Sequence, residues 1–157
     1  EQIQRDDEVF PIGDVIYQTH GITFGFEICE DAWRKNRPGY RLHERNVDLI
    51  FNPSASHFAL GKSTSREQQV VVEGSQKFSC AYVFVNLLGN EAGRMIYDGD
   101  IIIGQCGKLI AINKRCLDKR HFFHIKKDRT GLDANTLKFV FWNGGKKCFD
   151  FPLLGIL

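Results

Sequence analysis

The sequence predicts an α/β domain, and three observations support that prediction. Residues 21–112 read as strand, helix, strand, helix and strand, followed by a hairpin. Strands that alternate with helices are typical of a layered α/β domain with a parallel sheet. The chain has 157 residues, of which 43% are hydrophobic and 25% charged, so it is long enough for one domain with a real core.

The first two strands are predicted on either side of a broken helical stretch. GITFGFEIC alternates with a period of two, as a half-buried strand does. This period places Ile22, Phe24, Phe26 and Ile28 on one face and Thr23, Gly25 and Glu27 on the other. Pro38-Gly39 then divides a polar stretch into a short turn or helix and a second helical piece. VDLIF is typical of a buried parallel strand, and Asn52-Pro53 predicts its end.

The second half of the pattern contains the clearest helix. Thr64 and Glu67 have the spacing of a capping box at the start of a helix that runs toward residue 78. One face of this helix is formed by Val70, Val71, Gly74 and Phe78. YVFVNLL predicts the third strand, and DIIIG with KLIAI predicts a hairpin around Gln-Cys-Gly.

Parallel strands deliver their C-terminal loops to one edge of a sheet, where ligand sites gather. Three loops rich in polar residues are expected there, namely CEDAW, NPSASHFALGK and NLLGNEAGR. A functional site is therefore expected at that edge.

Cys29 stands at the predicted junction of the first strand and the following helix. The positive end of a helix dipole and its unpaired N–H groups stabilise a thiolate and an oxyanion. On that interpretation Cys29 is a nucleophile, and the backbone N–H of Glu30 completes an oxyanion site. On the other interpretation, which the pattern alone favours, Cys29 is a small apolar side chain that closes a core strand.

The second loop offers Ser56 and Lys62 as ligands for a polar or carboxylate-bearing substrate. An ordinary loop with a solvated lysine fits the same pattern. His57 lies in this loop, but a Cys29–His57 catalytic pair is not expected, because lone histidines are usually surface residues. The glycines of the third loop form neither GxGxxG nor a P-loop, so they give little support to nucleotide binding.

Charge divides the chain near residue 113, since residues 1–112 have a net charge of −4 and residues 113–157 of +6. The chain is therefore read in two parts, and a family resemblance that ends near residue 115 implies their bounds, 1–115 for the domain and 116–157 for a divergent basic tail. Such a tail either presents a solvated face or binds nucleic acid, and the first is more common, so a nucleic-acid partner is not expected.

Several further classes are not expected. The five cysteines are odd in number and include no CxxC pair, which argues against a disulfide framework and a thiolate metal site. Reduced thiols favour the cytoplasm. The sequence has no apolar run of about 18 residues and no secretory signal pattern, so no membrane span is expected.

The series GFEICEDAWR, VDLIFNPSASHFALGK and YVFVNLLGNEAGRMIYDGD resembles the nitrilase, or carbon–nitrogen hydrolase, superfamily. Over roughly residues 9–115 it is most similar to the glutaminase domain of glutamine-dependent NAD+ synthetases. This resemblance implies a partial αββα sandwich with Cys29 as nucleophile. It also implies that Ser56 and Lys62 hold glutamine, and that the Glu30 N–H faces the oxyanion.

The implied activity is a glutamine amidohydrolase that works through a cysteine thioester and supplies ammonia to a separate synthetase domain. ATP and deamido-NAD+ would belong to that second domain, whose S-G-G-x-D-S phosphate loop does not occur here. The glutaminase part itself is expected to need no cofactor and no metal.

The sequence also departs from the family pattern. The family's triad is Glu-Lys-Cys, and both partners lie well upstream of the cysteine, whereas 28 residues precede Cys29 and the first lysine is Lys35. Ile101 replaces a serine that the family commonly has after YDGD. We therefore expect the C-terminal half of the domain, inactive alone unless another segment supplies Glu and Lys.

Two alternatives to this activity stay open. One is a non-catalytic remnant or interaction module, which would self-associate or bind the missing half or a synthetase domain through exposed apolar surface. The other is an amidase of the same superfamily that acts on another amide or carbamoyl compound; the NPSASHFALGK loop favours glutamine.

Overall fold

A computed structural model of the chain describes residues 1–91, 93 and 95–113, and the strand backbones at 120–124, 127–128, 131–132 and 138–142. The strands are β1 (Gln2–Arg5), β2 (Glu8–Pro11), β3 (Tyr17–Thr19), β4 (Ile22–Phe26), β5 (Leu49–Ser54), β6 (Ala81–Asn86), β7 (Leu88–Glu91), β8 (Met95–Asp98), β9 (Ile101–Gln105), β10 (Lys108–Ile112), β11 (Arg120–His124), β12 (Lys127–Asp128), β13 (Gly131–Leu132) and β14 (Lys138–Trp142). The helical segments are a 3₁₀ helix (Cys29–Trp33), α1 (Gly39–Glu44), α2 (Lys62–Ser65), a π-helical segment (Arg66–Val72) and α3 (Glu73–Phe78).

A six-stranded sheet in the order β10-β9-β6-β5-β4-β3 forms the centre. The three predicted strands β4, β5 and β6 lie side by side and parallel. Antiparallel strands extend the sheet on both sides, with β3 beside β4 and the β9–β10 hairpin beside β6. Ile50, Tyr82 and Ile102 in the middle of this sheet are 0% exposed. The predicted mixed α/β architecture is confirmed.

The helical segments cover one face of the sheet. Val70, Val71, Gly74 and Phe78 are all buried, as their helical spacing predicts. Gly25 on β4 permits this packing, because a Cβ atom there would overlap the side chain of Leu42 on α1. The apolar core between sheet and helices is therefore formed where the sequence pattern places it.

Aromatic rings pack against one another on the opposite face of β3, β4 and β5. The Phe24 ring stacks on Tyr17 with centroids 5.3 Å apart, and the Phe26 ring stacks on Phe51 at 5.8 Å. Phe24 and Phe51 meet edge to face at 5.5 Å. The period-two alternation of the first strand thus separates an aromatic face from the helix-covered face.

Three local predictions differ from the structure. The helix begins at Lys62, after Gly61 in a left-handed conformation (φ +78°), so Thr64 lies inside the first turn and forms no capping box. Strand β5 continues through Pro53 to Ser54, because β4 has already ended beside Phe51 and an edge position tolerates proline. The β7–β8 hairpin was not predicted.

The basic tail assigned to residues 116–157 lies mostly outside the described residues. Its LKFVFW segment contains β14, which pairs antiparallel with β11. The nucleic-acid interpretation of this tail concerns side chains outside the described part. None of the helices in residues 1–91, 93 and 95–113 is long and apolar enough to cross a membrane.

Candidate active site

The three predicted loops meet at the C-terminal edge of the parallel strands. Asn52, near the end of β5, donates from Nδ2 to the backbone oxygen of Cys29 at 3.4 Å. Asn86, at the end of β6, accepts from the backbone N–H of Ser56 at 2.8 Å and donates to the Ser56 oxygen at 2.8 Å. The parallel topology therefore brings Cys29 and the Ser56 loop to one place, as the strand order predicts.

Cys29 sits on a sharp turn from the strand into the 3₁₀ helix. Its φ of +48° is in the left-handed region, which costs a residue other than glycine about 1–3 kcal/mol. Reciprocal bonds close this turn, since Ile28 N–H donates to Asp31 Oδ2 at 3.0 Å and Asp31 N–H donates to the Ile28 oxygen at 3.0 Å. The thiol is half-buried and unpaired with another cysteine. We call this strained turn the elbow; it places the Cys29 side chain at the C-terminal end of the parallel strands.

Glu30 follows as the second residue of the 3₁₀ helix, where a backbone N–H has no acceptor in the helix itself. Its carboxylate is turned away into an exposed ion pair with Arg34 at 2.6 Å. The carboxylate of Glu30 is thus engaged on the surface, apart from its backbone N–H.

A buried carboxylate, Glu27, anchors the strand two residues before Cys29, and it is 0% exposed. Arg37 donates to it from Nε at 2.9 Å and from a terminal nitrogen at 2.6 Å. The Tyr82 hydroxyl and the Gly39 N–H each donate to it at 2.6 Å. This network was not predicted from the sequence, because the strand pattern places Glu27 on one face but indicates no partner for it.

The electrostatics of this network follow from burial and charge. Burial by itself lowers the pKa of Arg37, but the hydrogen bond and charge of Glu27 outweigh it and raise that pKa. Burial raises the pKa of Tyr82 well above its usual range, and the Glu27 charge adds to the effect. Arg37 therefore stays cationic beside Glu27, and Tyr82 stays a neutral donor at physiological pH.

Lys62 lies at the other end of the substrate loop predicted from NPSASHFALGK. Its Nζ donates to the backbone oxygen of His57 at 3.1 Å. The pKa of Lys62 is lowered, first by partial burial and then by the charge of Arg66, while the neighbouring Asp98 and Cys29 act in the opposite direction. Lys62 is thus within electrostatic reach of the candidate nucleophile.

Arg66 is a further site residue that sequence reasoning missed, and it is 0% exposed. One terminal nitrogen donates to Asp98 at 2.6 Å and to Asp100 at 3.1 Å. Its guanidinium carbon lies 5.3 Å from the centre of the Phe84 ring. The two acids of YDGD, Asp98 and Asp100, were the signal in the sequence for a buried cation.

The remaining expectations concern His57 and metal binding. His57 is exposed, and it contributes its backbone oxygen to Lys62 and Arg66. In the part of the chain that the structure describes, no group of three or more His, Cys, Asp or Glu side chains is placed to hold a metal ion.

The chain is similar in sequence to curated proteins over part of its length. No family model matches the chain. A putative glutamine-dependent NAD(+) synthetase from Schizosaccharomyces pombe is 34% identical over 101 residues, which are 64% of this chain and 14% of that protein. The human glutamine-dependent NAD(+) synthetase is 33% identical over 104 residues, 66% of this chain and 15% of that protein.

A solved structure agrees with these relatives. The crystal structure of a glutamine-dependent NAD(+) synthetase from Cytophaga hutchinsonii is 48% identical, with a TM-score of 0.64 over 73% of this chain and 18% of that one. The chain is a homologue of part of the glutamine-dependent NAD(+) synthetases. The synthetase relatives are much longer, since the chain spans 14% and 15% of the two curated ones.

More distant structures share the fold. A Nesterenkonia amidase of the nitrilase superfamily is 16% identical, with a TM-score of 0.55 over 68% of this chain and 40% of that one. A glutamine-dependent NAD+ synthetase from Acinetobacter baumannii is 21% identical, with a TM-score of 0.63 over 94% of this chain and 24% of that one. The nitrilase-like fold expected from the sequence motifs is confirmed.

Proposed function

We propose that this chain carries the nucleophile and the substrate loop of a glutamine amidohydrolase, the ammonia-supplying portion of a glutamine-dependent NAD+ synthetase. The observation that carries the proposal is the position of Cys29. It sits on a strained elbow at the sheet edge, with the Lys62 ammonium in electrostatic reach. Homology to proteins named glutamine-dependent supports glutamine as the amide.

In the proposed reaction, Cys29 Sγ attacks the side-chain amide carbon of glutamine, and the carbonyl electrons move to oxygen. The backbone N–H of Glu30 stabilises this oxyanion. The C–N bond then breaks, the leaving nitrogen takes a proton, and ammonia departs from a thioester. Water attacks the thioester, the C–S bond breaks, the thiol regains its proton, and glutamate leaves.

Ser56 and Lys62 hold the substrate in this proposal. Lys62 has donors left over after its bond to the His57 oxygen, and its charge suits the α-carboxylate of glutamine. Among the described residues, the Ser56 hydroxyl makes no hydrogen bond, while the Ser56 backbone is held on both sides by Asn86. The hydroxyl is thereby available to a ligand in a fixed place.

In this proposal the family's glutamate base and its lysine come from another segment, because residues 1–28 contain no lysine and the buried Glu27 is already engaged by Arg37, Gly39 and Tyr82. A thiol without its base loses most of its activation. ATP and deamido-NAD+ would be used by a separate synthetase domain that consumes the ammonia, and the hydrolysis itself needs no cofactor. The free thiols of Cys29, Cys80 and Cys106 support a reducing, cytoplasmic setting.

Labelling tests this proposal. The probe is a glutamine analogue in which a chloromethyl ketone replaces the side-chain amide, so that a thiolate displaces chloride and forms a C–S bond. We expect labelling at Cys29 rather than at the exposed Cys106, and slowing by L-glutamine but not by D-glutamine. Equal labelling of both cysteines, or equal protection by both enantiomers, would count against glutamine recognition.

Ammonia release tests the separate claim that the base comes from elsewhere. We expect turnover of glutamine by the isolated chain to be indistinguishable from that of Cys29→Ala. Clear turnover that Cys29→Ala abolishes would show that the chain supplies its own base.

Exposed apolar side chains near the sheet edge favour association with another polypeptide. Leu60 is 95% exposed, Ile96 60% and Ile28 55%. We propose that this surface meets the segment that supplies Glu and Lys, with self-association as the alternative. The non-catalytic interaction module shares this surface but predicts no glutamine protection at Cys29. Light scattering of the purified chain tests association, and a stable monomer at all concentrations would contradict self-association.

A further inference from the structure

Arg66 reaches from the buried core to the loop that is proposed to bind substrate. One terminal nitrogen is engaged by Asp98 and Asp100, and the other donates to the backbone oxygens of Ser56 at 3.0 Å and His57 at 3.3 Å. The same His57 oxygen accepts from Lys62 Nζ. The guanidinium thus links the acids of β8 and its following turn to the loop backbone at Ser56 and His57.

Asn86 provides a second attachment to the same loop. Its side-chain oxygen accepts from Ser56 N–H and its side-chain nitrogen donates to the Ser56 oxygen, both at 2.8 Å. That nitrogen also donates to Asp98 Oδ1 at 2.7 Å, so Asp98 holds Arg66 and Asn86 together. The backbone at Ser56 is therefore fixed by two side chains that share one carboxylate.

This arrangement is a poor source of stability. Removing a guanidinium and two carboxylates from water carries a desolvation penalty that the mutual attraction often only balances. Three buried charged groups, Arg66, Asp98 and Asp100, form the network that holds two backbone oxygens of the loop. A geometric role explains the burial of these charges better than a stabilising role does.

Arginine has the required shape. Its planar fork presents several N–H donors at fixed angles, whereas a lysine ammonium is a point charge on a flexible stem. The Arg66 fork bonds to carboxylates on one side and to loop oxygens on the other, and its plane lies over the Phe84 ring. A lysine at this position keeps the charge but not both sets of bonds.

We propose that Arg66, with Asp98 and Asn86, is a positioning residue that sets the Ser56–Lys62 loop for recognition of the amino-acid end of the substrate. The proposal rests on the proposed glutamine-binding function. Arg66 touches neither substrate nor Cys29 and acts through the loop backbone. Its loss should therefore impair substrate recognition while the reactivity of the thiol persists.

The experiment uses the full 157-residue chain. Hydrogen exchange of the peptide spanning the loop is measured in the wild type, Arg66→Lys and Arg66→Met. Cys29 is then labelled by the glutamine-like chloromethyl ketone and by iodoacetamide, and the ratio of the two rates reports recognition separately from thiol reactivity. Val71→Ala, a 0%-exposed core substitution in the same helical segment that removes no hydrogen bond to the loop, serves as the matched control for destabilisation.

For Arg66→Lys we expect the loop to exchange about tenfold faster and the rate ratio to fall about tenfold, since charged hydrogen bonds are lost. The iodoacetamide rate should stay within about twofold. Arg66→Met should show the larger loss, and Val71→Ala should leave the ratio unchanged.

The outcomes separate the two proposals. If Arg66→Lys leaves loop exchange at the level of Val71→Ala, the positioning role is overturned, whatever the labelling shows. If the wild type itself shows no preference for the glutamine-like reagent, the proposed function fails, and loop exchange alone still decides whether Arg66 orders the loop.

Discussion

Two buried arginine networks flank the candidate site, and they are built differently. The Glu27–Arg37 network is closed, because its four donors converge on one carboxylate within the core. The Arg66 network is open on one side, because it donates outward to backbone oxygens of a loop. The first fixes the strand that carries Cys29, and the second fixes the loop that carries Lys62. The difference indicates that the proposed nucleophile and the proposed substrate loop are held independently.

The strongest way to break this comparison is Glu27→Gln. The substitution leaves Arg37 buried without its counter-charge, which typically costs about 3–5 kcal/mol in the free energy of unfolding. Urea denaturation measures the loss. Asp14→Asn, which removes an exposed pair with Arg41, is the control and should cost far less. Equal losses for the two variants would contradict a structural role for Glu27.

Tyr82→Phe tests the closed network more gently. It removes a hydroxyl that donates to Glu27 at 2.6 Å and receives a bond from Arg37 at 2.9 Å. We expect a loss of about 2 kcal/mol in unfolding free energy, since the partners are charged. Tyr97→Phe, whose hydroxyl bonds to the exposed Glu91, should lose less. A Tyr82 variant as stable as the wild type would show that the hydroxyl is dispensable.

The contribution of the open network to the free energy of unfolding should depend on pH in the acid range. Burial raises the pKa of Asp98, but hydrogen bonds from Asn86 and Arg66 outweigh it and lower the pKa below its usual value. Its stabilising contribution is therefore complete above the unfolded pKa of about 3.9 and is lost as pH falls through the lowered folded value. The stability gap between wild type and Asp98→Asn should narrow as pH drops from about 5 to 3. A gap independent of pH would contradict this.

The smallest effect is expected at Glu30. Its carboxylate pairs with Arg34 on the surface, and the proposed oxyanion role belongs to its backbone. Glu30→Ala should therefore leave both stability and Cys29 labelling by the glutamine-like reagent unchanged within error. A large drop in labelling would move the role of Glu30 from its backbone to its side chain.

The sequence was sufficient to predict the three parallel strands and the loops that follow them. Period-two alternation and short apolar runs predicted β4, β5 and β6, and parallel order predicted that Cys29 and Ser56 would meet. These signals are local, since each depends on neighbouring residues and on the direction of a strand.

The two networks were not predicted, because their partners are distant in sequence. Glu27 and Tyr82 are separated by 55 positions, and Arg66 and Asp98 by 32. No local period indicates such pairs. The capping box at Thr64 failed for a related reason, since the helix starts at Lys62, after a left-handed Gly61. Local patterns thus predicted β4, β5, β6 and the buried face of the helix. The two buried networks and the start of the helix depend on contacts that those patterns do not show.

We propose that Cys29 and the Ser56–Lys62 loop together form a glutamine site. The decisive experiment is a crystal structure of the chain after Cys29 has reacted with the glutamine-like chloromethyl ketone. We expect the α-carboxylate of the adduct within about 3.2 Å of Lys62 Nζ, with the Ser56 hydroxyl also in contact. An adduct whose α-carboxylate contacts neither Lys62 nor Ser56 would contradict the claim.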